Sequence, residues 1–339
     1  MSSDPEIVQE IETVGEKLAA AKTEISKRVI GQPVVVDLAL NALLSGGHAL
    51  LVGAPGLAKT RLVDTLGTVM GLDAKRIQFT PDLMPADILG AEVLEEAADG
   101  HRSFRFIEGP VFCQLLMADE INRASPRTQS ALLQAMQEKF VTIAGQRRDL
   151  TPPFHVLATQ NPIEQEGTYP LPEAQLDRFL LQVNVDYPAL QAERDILIAT
   201  TTVDEAEAKA VFTGPELMAA QRLVRRMPVG ESVVDAILSL VRAARPGEEE
   251  AFDFITRSVN WGPGPRAAQA LMLAVRARAL MDGRDAPDID DVIALARPAL
   301  THRMALTFAA RAEGESIERV IDALTARALG EPATDVAAA

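Results

Sequence analysis

The feature that most constrains the fold is a glycine-rich turn between an apolar run and a helix-like segment. The apolar run extends from His48 to Val52 and is typical of a buried strand, and residues 61–70 have helical spacing. The turn reads Gly53-Ala54-Pro55-Gly56-Leu57-Ala58-Lys59-Thr60. A strand, such a turn and a helix N-terminus direct backbone N–H groups inward, so this stretch predicts a nest for phosphate oxygens.

The last residues of the turn indicate a nucleotide rather than an arbitrary anion. At this spacing the Lys59 ammonium reaches the β- and γ-phosphates, and the Thr60 hydroxyl holds Mg²⁺. The general pattern has Gly immediately before the Lys, whereas this chain has Ala58. Alanine is the smallest replacement, and it is tolerable there if the residue already has helical φ and ψ. The alternative is an ordinary turn rich in Gly and Pro.

Composition limits the class of protein. The formal net charge of −15 over 339 residues argues against general nucleic-acid binding, which needs a basic surface, although a local basic patch remains possible. A single cysteine, Cys113, excludes an internal disulfide framework and fits a reducing compartment. Without a signal pattern at the N-terminus or a run of about 18 apolar residues, we expect a cytoplasmic chain with no membrane span.

The order of the segments predicts two domains. Strands and helices alternate up to Val185, which is typical of a parallel α/β sheet covered on both faces. Helical spacing dominates after Pro188, so the first domain is expected at 1–188 and a smaller, all-helical domain at 189–330. The first domain includes an N-terminal helix at 6–26 and an insert at 81–110 with hairpin signals; a second hairpin is predicted at 140–150, and a disordered tail at 331–339.

Three polar residues follow buried strands of the first domain. Asp119 and Glu120 end the run that begins at Leu115, and Asn161 follows the strand-like run 154–159. Ligands of parallel sheets bind at the carboxyl ends of the strands, so these side chains are expected near the phosphate turn. Asp119 would then hold Mg²⁺ together with Thr60, and Glu120 would act as general base. The alternatives are that one carboxylate caps the next helix and that Asn161 is a plain Asn-Pro turn.

Two arginines are candidates for stabilising charge on a transferred phosphoryl group. Arg178 lies in Leu-Asp-Arg-Phe just before the last predicted strand, and it need not act on the nucleotide of its own chain. Arg266 opens a helix after Gly-Pro-Gly-Pro and could report the γ-phosphate to the second domain. The alternative for either residue is a solvated or paired surface arginine.

These stretches together resemble the MoxR family of AAA+ ATPases. The resemblance runs from about Val29 to Arg303 and is carried by the following segments: Gly53–Thr60 as Walker A with the family's Ala-Lys-Thr ending, Leu115–Ala124 as Walker B, Ala158–Tyr169 as sensor 1, Pro172–Phe179 as the arginine-finger segment, Gly262–Ala267 as sensor 2, and Val29–Gln32 as the segment that meets the adenine.

The resemblance implies a fold, an activity and an assembly. The fold is an AAA+ P-loop domain with a five-stranded parallel sheet and insert hairpins, followed by a helical lid. The activity is ATP hydrolysis with Mg²⁺ in a ring, usually a hexamer, that has ATP between subunits. The site residues are catalytic Glu120, Asn161, Arg178 and Arg266, metal-binding Thr60 and Asp119, and nucleotide-binding Ile30, Gly53, Ala54, Pro55, Gly56, Leu57, Ala58, Lys59, Thr60 and Arg61.

The family is thought to mature or activate partner proteins, often those with a von Willebrand factor A domain or a metal or cofactor centre. Two other readings stay open: a metal-chelatase motor subunit, which shares the same mechanism, and a nucleic-acid motor. The insert 81–110 disfavours the motor on nucleic acid, because it has three basic residues, His101, Arg102 and Arg105, against seven acidic ones. We therefore expect a protein client.

Overall fold

The computed structural model describes residues 5–96, 102–163, 167–201 and 206–329. The strands are β1 (Ala49–Gly53), β2 (Ala74–Gln78), β3 (Gly90–Glu96), β4 (Arg102–Glu108), β5 (Leu115–Asp119), β6 (Phe140–Ile143), β7 (Gln146–Asp149), β8 (His155–Gln160), β9 (Leu181–Val185), β10 (Val259–Trp261) and β11 (Ala305–Leu306). The helices are α1 (Pro5–Ser26), α2 (Pro33–Leu44), α3 (Lys59–Val69), α4 (Pro85–Leu89), α5 (Pro126–Glu138), α6 (Glu173–Leu176), α7 (Leu190–Thr200), α8 (Gly214–Arg226), α9 (Glu231–Ala243), α10 (Asp253–Ser258), α11 (Pro265–Met281), α12 (Ile289–Leu300), α13 (Phe308–Ala312) and α14 (Ile317–Ala328). The predicted tail 331–339 lies outside the described residues.

The predicted five-stranded sheet is confirmed, with the order β2-β5-β8-β1-β9. The ladders between β2 and β5, β5 and β8, and β8 and β1 are parallel. Every residue of β5 is buried, because a parallel sheet is covered on both faces. The parallel direction brings the carboxyl ends of these strands to one edge of the sheet, where Gln78 lies opposite Asp119.

Helix α5 shows how the chain builds the core below this edge. Ser125 caps the helix by accepting a hydrogen bond from the Thr128 N–H at 3.4 Å, and Pro126 fits the first helical position. Leu132, Leu133 and Met136 are buried, as their helical spacing predicts. These three side chains belong to one apolar cluster with residues of the sheet, so α5 packs against β5 and β8.

Both predicted hairpins are present. In the insert β3 pairs antiparallel with β4, and β6 pairs with β7 in the second hairpin. The turn expected at Asp99–Gly100 lies outside the described residues. Helix α4 precedes the first hairpin and was not predicted, because five residues are too few to show a helical repeat.

Residue contacts divide the chain into two compact units. The sheet unit comprises Ala20–Phe179 and Val183–Met218, and the helical unit comprises the described parts of Met1–Ala19, Leu180–Gln182 and Ala219–Ala339. Helix α7 therefore groups with the sheet, beyond the expected limit at residue 188, and the domain limits themselves stay a prediction. The helical unit also contains the unpredicted short pair β10–β11. None of the described helices combines the length and the hydropathy needed to cross a bilayer.

Two histidines are buried next to each other at the start of strands β1 and β8. His48 accepts a hydrogen bond from the Val156 N–H at 2.9 Å through Nδ1, so its Nε2–H donates to the Met136 carbonyl at 3.2 Å. His155 Nδ1 lies 2.8 Å from the Gly47 carbonyl and donates to it. Burial lowers the pKa of His48 to about 3 and that of His155 to about 4, so both rings are neutral in the folded protein at pH 7.

The histidine pair predicts a loss of stability in mild acid. Unfolding returns both rings to a pKa near 6.5, so the unfolded chain binds more protons than the folded one at pH 5. Stability should therefore fall as the pH drops below about 6.5, by about 1.4 kcal/mol per pH unit for each ring while only the unfolded state is protonated. Urea midpoints between pH 7.5 and pH 4.5 test this, and His155→Asn should flatten the dependence. Thr128→Val, which removes a buried hydrogen bond to Leu83 without removing a titrating group, should leave the dependence as steep as in the wild type.

Candidate functional site

The predicted phosphate turn connects β1 to α3, with Lys59 as the first helical residue. Gly53 allows a close approach of strand β9, since a side chain there would lie 2.4 Å from the Val185 carbonyl oxygen. Gly56 has a φ of +84°, which favours glycine. The turn is thus a strand–turn–helix unit with a helix N-terminus directed at its concave side, the arrangement that binds phosphate.

The condition under which an alanine is tolerable at position 58 is not met. Ala58 has a φ of 57° and a ψ of 20°, which is the left-handed region and not the right-handed helical region. The residue still acts as the N-cap position of α3. A Cβ in this conformation costs roughly 1–2 kcal/mol, so the turn retains strain that a glycine would relieve.

Ala58→Gly is therefore expected to raise the free energy of unfolding by about 1 kcal/mol or slightly less, because greater freedom of the unfolded chain offsets part of the relief. The matched control is Ala54→Gly in the same turn, where φ is not positive and the same change should destabilise. Urea denaturation of the two variants measures the difference. Equal losses of stability in both would contradict strain at Ala58.

Lys59 is directed back at the turn in this structure. Its ammonium donates hydrogen bonds to the Gly53 carbonyl at 2.5 Å and to the Ala54 carbonyl at 2.9 Å. Partial burial lowers the pKa of Lys59, and the charges of Asp119 and Glu120 oppose that shift. The three charged groups are thus close enough to interact across the site.

Asp119 is buried at the end of β5 and has a partner on each side. Its Oδ2 accepts a hydrogen bond from Arg76 of β2 at 2.6 Å, and its Oδ1 accepts one from the Thr159 hydroxyl of β8 at 2.6 Å. The Thr159 hydroxyl oxygen also accepts the Glu120 N–H at 2.8 Å. Three neighbouring strands therefore hold this carboxylate in one orientation.

Glu120 follows in the left-handed conformation, with a φ of 56°. Its Oε2 accepts hydrogen bonds from Gln78 Nε2 at 3.2 Å and from an Arg123 guanidinium N–H at 3.0 Å. Its side chain makes no cap to the following 3₁₀ turn, and helix α5 is capped by Ser125. The alternative that Glu120 or Asp119 caps the next helix therefore finds no support in the described contacts.

Asn161 forms a turn and lies at the site. Its Oδ1 accepts the Ile163 N–H at 3.0 Å, which is the contact of an ordinary Asn turn. Asn161 also lines the same cavity as Lys59 and Asp119. Asn161 therefore both forms an ordinary Asn turn and lines the cavity of the candidate site.

Two cavities of the sheet unit meet at the phosphate turn. The first has a volume of about 440 Å³ and is lined by the turn and by charged or polar residues from the strand ends: Lys59, Thr60, Arg76, Gln78, Asp119, Glu120, Thr159 and Asn161. The second has a volume of about 400 Å³ and is mainly apolar: Ile30, Leu57, Tyr187, Pro188, Ile196 and Leu197 line it. Both cavities share Pro55, Gly56, Leu57, Ala58 and Arg61. This is room for a phosphate chain on one side of the turn and a flat apolar group on the other.

The side chains that line the first cavity fit Mg²⁺ better than they fit a metal ion whose ligands all come from the protein. Among the described residues there is no group of three or more His, Cys, Asp or Glu side chains that could hold a metal ion. The hydroxyl of Thr60 and the carboxylate of Asp119 both line the cavity beside the turn, together with Thr159 and Glu120. Mg²⁺ typically binds one or two such ligands together with substrate phosphates and water, so these residues fit that ion.

Comparisons with known proteins identify the family. Residues 48–181 match the model of the ATPase family associated with various cellular activities (AAA), and residues 255–324 match the AAA lid domain. Chaperone MoxR1 of Mycobacterium tuberculosis is 42% identical over 305 residues, which are 90% of this chain and 80% of that protein. The chain belongs to the MoxR family of AAA+ ATPases. Protein MoxR of Methylorubrum extorquens is 31% identical over 304 residues, or 85% of this chain and 87% of that protein.

A solved structure supports the MoxR-family fold over almost the whole chain. A "putative ATPase" from Cytophaga hutchinsonii superposes with a TM-score of 0.86 at 36% sequence identity, covering 93% of this chain and 96% of that one. The family resemblance and the fold class predicted from the sequence are therefore confirmed. The chain is an AAA+ domain with a helical lid.

The two candidate arginines of this MoxR-family chain belong to different units. Arg178 is half-buried in the sheet unit, and its backbone N–H donates to the Gln175 carbonyl at 3.2 Å. It is not among the residues described as lining either cavity. Arg266 is exposed in the first turn of α11 and belongs to the helical unit. The structure thus brings together Lys59, Thr60, Asp119, Glu120 and Asn161, while the roles of both arginines stay predictions.

The sequence analysis missed several residues of this MoxR-family site. Arg76 and Gln78 hold the two carboxylates from β2, and Thr159 and Arg123 complete the contacts. Thr159 carried a usable signal, because it is a polar residue at the carboxyl end of a predicted strand, whereas Gln78 ends β2 only in the structure. Ile196 and Leu197 of the apolar cavity were missed because residues after 188 were assigned to the lid, and Tyr187 was missed because it lies next to the predicted domain limit.

Proposed function

We propose that this MoxR-family protein hydrolyses ATP with Mg²⁺ at the site around Gly53–Thr60. The observation that carries the proposal is one 440 Å³ cavity lined by the phosphate turn, Asp119 and Glu120 together. A nest for phosphates, a metal-binding carboxylate and a carboxylate free of a capping role are the parts that phosphoryl transfer to water needs.

Each part of the turn has a role in binding. The N–H groups at the start of α3 and the Lys59 ammonium would bind the β- and γ-phosphates, for which Lys59 must leave the Gly53 and Ala54 carbonyls. Thr60 and Asp119 would hold Mg²⁺, which when bound neutralises the charge that develops on the phosphate oxygens. The apolar cavity beside Ile30 and Tyr187 would take the adenine.

Glu120 would accept the proton of the attacking water as general base. In this structure its Oε2 is engaged by Gln78 and Arg123, so the carboxylate must give up at least part of these contacts to meet a water. Asn161, in the same cavity, would hold that water or the γ-phosphate through its side-chain amide. Arg266 would report the γ-phosphate to the lid.

Arg178 would act on a nucleotide bound by a neighbouring subunit. Its absence from the lining of both cavities supports this role, because an arginine that stabilises the transferring group must touch it. We therefore propose a homo-oligomeric ring, most simply a hexamer, in which each site is completed by the next subunit.

The work done by hydrolysis would be the remodelling of a partner protein in the cytoplasm. Support comes from the relative named Chaperone MoxR1, and we extend the proposal to a client with a von Willebrand factor A domain or a metal or cofactor centre. Affinity-tagged Glu120→Gln protein, loaded with ATP, should retain such a client on purification. Lys59→Ala protein is the matched control and should retain none, because it would not reach the ATP-bound state.

If the client is a protein, the rate of ATP hydrolysis should not respond to nucleic acid. ATPase rates at physiological salt should change less than about twofold on addition of single- or double-stranded DNA or RNA, because a chain of net charge −15 repels phosphates on balance. In the described hairpin both Arg102 and Arg105 are already paired, with Glu96 and Glu95. Strong stimulation that disappears steeply with added salt would overturn the chaperone function in favour of a nucleic-acid motor.

A further inference from the structure

A cationic side chain of the protein itself, Arg76, is paired with Asp119, the carboxylate that is proposed to hold Mg²⁺. An Arg76 guanidinium nitrogen lies 2.6 Å from Asp119 Oδ2, and the Thr159 hydroxyl takes Oδ1 at 2.6 Å. The Asp119 side chain is 12% exposed, whereas that of Arg76 is 45% exposed. The carboxylate is thus fixed in the protein, and the guanidinium that neutralises it lies open to the cavity.

The direction of the Arg76 side chain follows from its strand. Side chains two residues apart on a strand share a face, so Arg76 and Gln78 lie on the same side of β2 and contact Asp119 and Glu120 respectively. Lys75 directly precedes Arg76 and lies on the other face of β2; its ammonium donates to the Phe112 carbonyl at 2.9 Å, and it is not among the residues that line the cavity. Arg76 is therefore directed at the site, and its neighbour Lys75 is not.

A divalent ion and a guanidinium that contact the same carboxylate oxygen repel each other. A divalent ion bound through Asp119 would compete with the Arg76 guanidinium for Oδ2. Arg76 lines the same cavity as Lys59 and Thr60, so a displaced guanidinium would remain where phosphates are proposed to bind. Guanidinium groups bind phosphate oxygens through paired N–H donors, which offers Arg76 a second partner at short range.

We infer that Arg76 is an exchangeable counter-ion, which pairs with Asp119 in the nucleotide-free protein and turns to the phosphates when a Mg²⁺–nucleotide complex binds. The inference rests on the proposed function for its ligand, but not on hydrolysis. Arg76 would make nucleotide binding less dependent on Mg²⁺, because it neutralises Asp119 when the metal is absent and must be displaced from Asp119 when the metal binds.

The quantity that tests the inference is the factor by which Mg²⁺ tightens ADP binding. In Arg76→Gln the metal meets Asp119 without a competitor, and without the metal an unpaired Asp119 repels the phosphates. The ratio of the Kd for ADP in EDTA to the Kd in saturating Mg²⁺ should therefore rise about tenfold over the wild type, the scale of one hydrogen bond to a charged group. Arg76→Lys keeps the charge but loses the paired donors, so its ratio should lie between the two.

Isothermal titration calorimetry of the full chain with ADP, in EDTA and in Mg²⁺, measures this ratio without any turnover. Lys75→Gln is the matched control, because it removes the same charge from the next residue on the opposite face, and its ratio should equal that of the wild type. A merely structural role for Arg76 would weaken both Kd values by the same factor, leave the ratio unchanged and overturn the inference.

A double-mutant cycle with Asp119→Asn gives a second test, which can be read even if the variants are somewhat less stable than the wild type. With Asp119 neutralised there is no carboxylate to compete for, so Arg76→Gln should no longer change the ratio. A persisting tenfold rise in that background would contradict exchange at Asp119. Failure of wild-type protein to bind ADP in either condition would instead overturn the proposed function, which separates the two failures.

Discussion

Glu120→Gln is expected to lower the turnover number for ATP hydrolysis by about 10²- to 10⁴-fold while leaving ATP binding intact. The amide has the same shape as the carboxylate and can still accept a hydrogen bond from Gln78 or Arg123 through its oxygen. It cannot take a proton from water, so only the chemical step should suffer. The variant should accumulate with ATP bound.

Lys59→Ala is expected to weaken ATP binding, whereas Glu120→Gln is expected to slow the chemical step. Removal of the ammonium at the start of α3 takes away the charge proposed for the β- and γ-phosphates, so the Kd for ATP should rise and binding should limit activity. Equilibrium binding of ATP and single-turnover hydrolysis, measured for both variants, distinguish the two steps.

A surface variant controls for the charge change at Glu120. Glu138 is exposed at the end of α5 and contacts only Gln134 among the described hydrogen bonds, so Glu138→Gln should hydrolyse ATP like the wild type. Wild-type turnover by Glu120→Gln would show that Glu120 is not the base. The phosphate-binding role of the turn would then still stand on the Lys59 result.

Arg178→Ala is expected to bind ATP normally and to lose about 10³- to 10⁵-fold in turnover, the range found for arginine fingers. Arg178→Lys should lose less, because it keeps the charge but not the planar fork. Turnover should fall because Arg178 is proposed to contact the nucleotide in the site of a neighbouring subunit. Arg319→Ala, at an exposed position in helix α14, is the matched control and should keep wild-type turnover.

Mixed oligomers test whether Arg178 acts between subunits. Arg178→Ala subunits have an intact nucleotide site, and Lys59→Ala subunits have an intact arginine, so mixing the two inactive proteins should restore part of the activity. Specific activity of the wild type should also rise with protein concentration as rings assemble. Differently tagged subunits establish that hetero-oligomers have formed.

A rate that is independent of concentration, with no rescue in proven hetero-oligomers, would contradict action between subunits. Arg178 would then act in its own chain or have no role in the reaction. The Glu120 prediction does not depend on this outcome, because the general base and the phosphate turn lie on the same chain and line one cavity.

The sequence by itself was enough to predict the phosphate turn, the two carboxylates, the parallel sheet and the family. These features are local: Gly53–Thr60 lies within one strand–turn–helix unit, and Asp119 and Glu120 end a single apolar run. Helical and strand periodicity reports which residues are buried, so Leu132, Leu133 and the apolar strand β5 could be recognised without a structure.

Only the tertiary structure decided which residues surround those carboxylates. Arg76 is 43 residues from Asp119 in the chain and Thr159 is 40 residues away, yet both contact it, because β2, β5 and β8 are neighbours in the sheet. Strand order and register depend on long-range packing, on which local periodicity carries no information. The apolar cavity completed by Tyr187 and Leu197 was not predicted for the same reason, because the sequence names the residues but distant parts of the fold set their neighbours. The left-handed conformation of Ala58 was likewise visible only in the structure.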